Sequence, residues 1–151
     1  MVGCSIKGRF ILGRLKDKVA VITGGASGIG ESTVKLFIEE GARVAFSDQD
    51  GQRGIALSKE IKSTGSDVLF VEAKMELEDQ AVSFVQRAAD HFGQLDILVN
   101  NVAIRMFQTV VEASQESWDK ILSVNVKSYA FCSKAAIPLM QKQGGSIIRA
   151  S

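Results

Sequence analysis

The chain has 151 residues, 46% hydrophobic and 23% charged, with a formal net charge of +1. That length suits one domain with its own core, and scattered, nearly balanced charge leaves no electrostatic footprint for nucleic acid or an acidic membrane surface. Two cysteines, Cys4 and Cys132, are too few and too far apart for a disulfide framework or a zinc site, so a reducing, cytoplasmic setting is the default and no metal is expected.

Residues 1–14 read as a disordered N-terminal extension, and residues 15–151 as the folded unit. The only apolar cluster of the extension, Phe10, Ile11 and Leu12, is shorter than the roughly 7 to 15 residues of a signal-peptide core. No apolar run approaches the roughly 20 residues that cross a bilayer.

The folded unit begins with Val19, Ala20, Val21 and Ile22, a run without polar alternation, as expected of a strand buried on both faces of a parallel sheet. Four glycines follow within Gly24 to Gly30, and a helix is expected over 28–40, with Val34, Phe37 and Ile38 on its inner face and Gly41 as a left-handed C-cap. A strand, a glycine turn and a helix N-terminus together form an anion site, where free amides and the positive end of the helix dipole meet a pyrophosphate.

The second strand, 43–47, runs straight into Asp48. Its distance from the last glycine is close to the roughly 20 residues at which a dinucleotide-binding unit places its ribose carboxylate. A carboxylate there accepts from both ribose hydroxyls and repels a 2′-phosphate, and neither Gln49 nor Ala26 and Ser27 could offset that repulsion, so NAD is expected over NADP. The bland alternative is a solvated loop acid or a helix cap, although Asp50 is the better N-cap for the next helix.

That helix is expected over 52–63, with Ile55, Ala56, Leu57 and Ile61 as its apolar stripe, followed by a strand at 68–71. A third helix runs to about Phe92 with Ala81, Val82, Phe84, Val85 and Ala88 turned inward, closed by Gly93. His91, the single histidine, reads as a surface residue at that helix end. A fourth strand spans 96–100, a long helical region 114–141 should be kinked or ended locally by Pro138, and a fifth strand spans 146–150. Strands alternating with helices give an α/β, doubly wound parallel sheet.

The spacing Thr23-Gly24-x-x-x-Gly28-Ile29-Gly30 resembles the cofactor signature of the short-chain dehydrogenase/reductase family. Residues 95–101 (LDILVNN), 118–125 (WDKILSVN) and 144–148 (GGSII) agree with it in the same order, and together they cover nearly everything from Leu15 to Ser151. The resemblance implies a Rossmann-like fold of five strands ordered 3-2-1-4-5, lacking the family's C-terminal strands and helices. It implies hydride transfer between NAD and a small-molecule alcohol or carbonyl, and a homo-oligomer in the full-length form. Gly24, Ser27, Gly28, Ile29, Gly30, Asp48, Asn100 and Val124 fall at cofactor-binding positions. Asn125 matches the helix asparagine that holds a water in the proton relay, and Ser151 falls beside or at the catalytic serine.

Four departures stand out. Lys74 replaces an aspartate that binds the adenine edge, and a lysine cannot accept a hydrogen bond from an amino group. Val102 and Ala103 replace the last two residues of the family's Asn-Asn-Ala-Gly, so a methyl group stands where the family has none. Arg149 is odd in a strand expected to be buried on both faces. The catalytic pair Tyr-x-x-x-Lys is missing as well: Tyr129, the single tyrosine, has Lys134 five residues on, about 140° around a helix, which reads as packing. The alternative to an enzyme is therefore a truncated NAD-binding or interaction module without catalytic activity. A longer product carrying Tyr-x-x-x-Lys after Ser151 would separate the two.

Overall fold

The structure is a computed structural model that describes residues 13–150. Ser151 and residues 1–12, and with them the Ser151 assignment and most of the expected extension, lie outside the described residues.

The chain alternates β1 (Val19–Thr23), α1 (Gly28–Glu39), β2 (Arg43–Asp48), α2 (Gly51–Ser63), β3 (Val68–Glu72), α3 (Glu78–Phe92) and β4 (Ile97–Asn100). It continues through α4 (Gln115–Leu122), a π-helical turn (Ser123–Lys127), α5 (Ser128–Met140) and β5 (Ser146–Arg149). The five strands form one parallel sheet in the order β3-β2-β1-β4-β5, as expected. Strand order reverses between β1 and β4, which places a crevice outside their C-terminal ends.

Alternate residues of each strand serve opposite faces. Val19 and Val21 of β1 and Leu98 of β4 pack with Phe84, Val85 and Cys132 from α3 and α5. Ala20 and Ile22 face the other way, onto Val34 of α1 and Leu57 and Ile61 of α2. Burial on both sides explains why β1 carries no alternation. At the opposite end from the crevice, the Asp96 carboxylate accepts from the Val19 N–H at 2.8 Å, the Gln94 amide at 2.7 Å and the Lys18 ammonium at 3.3 Å. Burial disfavours its charge, but these donors outweigh burial and hold the carboxyl below its ordinary range.

Four local expectations change. In α2 the buried face is Gly54, Leu57, Ser58 and Ile61, and Ile55 is 49% exposed. The helix is turned so that Gly54 meets the Phe70 ring, where any Cβ would overlap it. The long helical region is interrupted before Pro138 is reached, by the π-helical turn, and Pro138 itself lies inside α5, in the last turn before the helix ends at Met140. Val82 is only half-buried. Finally, β5 is exposed along its length, and the Arg149 guanidinium lies 5.0 Å from the centroid of the Tyr129 ring, so its charge sits on an open edge against an aromatic face.

Candidate functional site

A cleft of about 400 Å³ opens at the C-terminal ends of β1 to β4. Its floor is the glycine turn. Gly24 and Gly28 hold φ of 66° and 54°, the left-handed conformation that an L side chain rarely adopts. At Gly30 a Cβ would overlap the Gly24 carbonyl, so the turn closes on itself only because that side chain is absent.

Two neighbours brace the turn. From β2, the Ser47 carbonyl accepts the Gly25 N–H at 2.9 Å and the Asp48 Oδ2 accepts the Ala26 N–H at 3.0 Å. From β4, the Asn101 Nδ2 donates to the Thr23 and Gly24 carbonyls at 3.1 and 3.0 Å. Thr23 Oγ1 returns the interaction by accepting the N–H groups of Asn101 and Val102 at 3.0 and 3.1 Å. Neither Thr23 nor Asn101 was singled out from sequence as a site residue. Their positions, immediately before the first glycine and immediately after β4, were the available signal.

Ser27 occupies the N-cap position of α1 in an extended conformation, and its side chain caps nothing. The first-turn amides at Gly28, Ile29 and Gly30 have no acceptor within the helix, as at any helix start. A Cβ on Gly28 would meet no atom within 4 Å, and Ile29 is 74% exposed. An open, uncapped helix N-terminus thus faces the cleft.

Asp48 is half-buried and lines the same space. Its two oxygens each accept one backbone N–H, from Ala26 and from Asp50, which leaves lone pairs on both. The helix-capping role belongs to Asp50, which accepts the Arg53 N–H at 3.0 Å. The cleft is also lined by Lys74, Glu76, Ala103 and Ile104, with Lys120 of α4 bonded to Glu76 at 2.8 Å.

The structure brings together Gly24, Ser27, Gly28, Ile29, Gly30, Asp48 and Val124 along the cleft. Asn100 is not among the lining residues: it is 2% exposed and its Oδ1 has no partner among the described residues. Asn125, in the π-helical turn, uses both ends of its amide on one residue, accepting the Ile104 N–H at 2.8 Å and donating to the Ile104 carbonyl at 2.9 Å. It thereby fixes a segment of the cleft wall. Extra-residue turns of this kind recur at functional positions in helices.

Tyr129 and Lys134 are not brought together at the cleft. Tyr129 is buried with its hydroxyl unpartnered among the described residues, and Lys134 bonds Glu78 at 2.8 Å. Cys132 is fully buried with its Sγ 3.8 Å from the Met75 Sδ, and burial pushes its thiol up to about 12. His91 pairs with Asp67 at 3.6 Å, and no cluster among the described residues could hold a metal ion.

A family model described as short chain dehydrogenase matches residues 18–151. The chain belongs to the short-chain dehydrogenase family. It is 40% identical over 133 residues to an uncharacterized oxidoreductase of Thermotoga maritima, covering 88% of this chain and 52% of that protein. A 3-oxoacyl-[acyl-carrier-protein] reductase of the same organism is 35% identical, with 91% of this chain and 56% of the relative covered. Among solved structures, a mutant Serratia marcescens short-chain dehydrogenase/reductase superposes with a TM-score of 0.85 at 36% identity, over 89% of this chain and 55% of that one. The chain thus spans about half the length of the curated relatives it matches. Among the described residues, no helix is long and apolar enough to cross a membrane.

Proposed function

We propose that the chain is the nucleotide-binding part of an NAD-dependent oxidoreductase that moves a hydride between nicotinamide and the alcohol or carbonyl carbon of a small-molecule substrate. The observation that carries this reading is that an uncapped helix N-terminus and a carboxylate share one cleft. The amides of Gly28, Ile29 and Gly30 and the free hydroxyl of Ser27 would hold the pyrophosphate, with Gly24 shaping the turn. Asp48 would take the ribose hydroxyls with its remaining lone pairs, and its charge would reject a 2′-phosphate, which Gln49 cannot offset.

Bound NAD supplies the hydride acceptor at its nicotinamide ring. The remaining candidates act around it, Val124 as an apolar wall and Asn125 as the residue that positions Ile104, while Asn100 is buried and does not line the cleft. We place the protein in the cytoplasm as a self-associating enzyme, in keeping with its family.

Thermal unfolding in the presence of NAD or NADP tests the proposal. Ligand at about 100 times Kd stabilises a folded state by roughly 2.7 kcal/mol. A rise in midpoint with NAD, a smaller one with NADP at equal concentration, and loss of the NAD effect in Asp48→Ala are expected. Equal responses to the two nucleotides, or an unchanged NAD response in Asp48→Ala, would contradict it.

A further inference from the structure

Lys74 can only donate a hydrogen bond where the chain leaves β3 and enters the cleft wall. Two residues on stands an acceptor. The Glu76 side chain is 17% exposed, lines the cleft, and holds its Oε1 2.8 Å from the Lys120 Nζ. That ion pair joins the β3–α3 connection to α4 and so fixes the carboxylate at the cleft. Burial disfavours its charge, but the Lys120 ammonium, its own backbone N–H and nearby Lys74 outweigh burial and keep the pKa below the ordinary glutamate range. A carboxylate with about four lone-pair directions retains accepting capacity after these bonds.

The order of the sheet says what reaches it. Phosphate-binding amides follow β1, the ribose carboxylate ends β2, and the next strand outward, β3, leads directly into Ala73, Lys74 and Glu76. A nucleotide extended from β1 past β2 therefore presents its base to the β3 exit. Resting on the nucleotide reading above, we infer that Glu76 is the base-reading residue of the cleft: its carboxylate accepts a hydrogen bond from the exocyclic amino group of adenine. Lys120 is the positioning residue that holds it there. The departure at Lys74 is thus made good two residues later in the chain.

Nicotinamide hypoxanthine dinucleotide differs from NAD at this group, presenting an oxygen to the carboxylate in place of the amino donor. Calorimetric titration of the chain with each dinucleotide reads the preference. NAD should bind about tenfold or more tightly, the worth of one hydrogen bond to a charged group, and Glu76→Gln should bring the two within about twofold, because an amide can serve either partner. Lys120→Met, which keeps the aliphatic stem, should lower the preference part of the way. Asp48→Ala should weaken both dinucleotides and leave their ratio alone, which separates base reading from general damage to the cleft. Unfolding midpoints of each variant check that it is folded. Equal affinity of the wild-type chain for the two, or a ratio unmoved by Glu76→Gln, would overturn the base assignment while leaving the nucleotide reading intact. Failure of the folded chain to bind either would overturn both.

Discussion

Thr23→Val replaces a hydroxyl by a methyl group of nearly the same size at a residue that is fully buried. The substitution removes the acceptor for two backbone N–H groups, those of Asn101 and Val102, at 3.0 and 3.1 Å. Each buried donor left unpaired costs about 1–3 kcal/mol, and because these two are only partly buried the lower half applies, about 2–4 kcal/mol in all. The natural comparison is Thr23→Ser, which keeps the acceptor and loses only a methyl group, worth about 1 kcal/mol. Urea denaturation gives both values, and for a domain of this size the valine variant should melt about 4–16 °C lower. NAD affinity should fall with it, since the same bonds join the β4 exit to the glycine turn. A valine variant within about 0.5 kcal/mol of the serine variant would refute the reasoning, since the two orphaned donors would then cost nothing measurable.

The glycine turn gives a second contrast. Gly30→Ala drives a Cβ into the Gly24 carbonyl and to 2.7 Å from the Asn101 Nδ2, whereas Gly28→Ala meets open space and bears only the strain of its positive φ. Denaturation should show a loss above about 2 kcal/mol for the first and about 1 kcal/mol for the second, and the reverse order would count against the turn geometry. Cys132 offers a test at high pH. Its thiol, pushed up to about 12 in the fold, keeps its proton where an unfolded cysteine, near pKa about 8.5, gives it up. The native state therefore binds more protons above that lower value, so this contribution to stability is whole below about pH 8.5 and declines as pH rises towards 12. Cys132→Ala should flatten that alkaline decline, and the peptide carrying Cys132 should resist iodoacetamide until urea is added. Labelling of the native protein at that residue would show the thiol to be accessible.

The strands were legible because burial on both faces writes itself as unbroken apolar runs at β1 and β4, and helices closed by Gly41 and Gly93 announced the alternation; their order came from the family resemblance, since no run of residues says which strand lies beside which. The glycine turn was legible because backbone geometry dictates residue type there, and Asp48 because it ends β2 at a telling distance from the last glycine. What connects them was not. The bond from Ala26 to Asp48 joins residues 22 apart, and no local pattern specifies it. At the end of β4 two asparagines stand side by side; strand alternation turned Asn100 inward and Asn101 towards the cleft, and a pair of identical residues carries no mark of which is which. The π-helical turn at Asn125 likewise leaves a helical apolar period on either side and shows only through its bonds to Ile104. Ile55 misled because the packing of Phe70 on Gly54, an absent side chain, decided how α2 is turned.

An amide-resolved NMR titration of the chain with NAD tests most directly whether the glycine turn holds a dinucleotide. The account predicts saturable shifts at Ser27, Gly28, Ile29 and Gly30, where phosphate meets the helix N-terminus, and at Asp48, with Asp48→Ala weakening the binding. A well-dispersed spectrum in which those amides stay still at saturating NAD would contradict it.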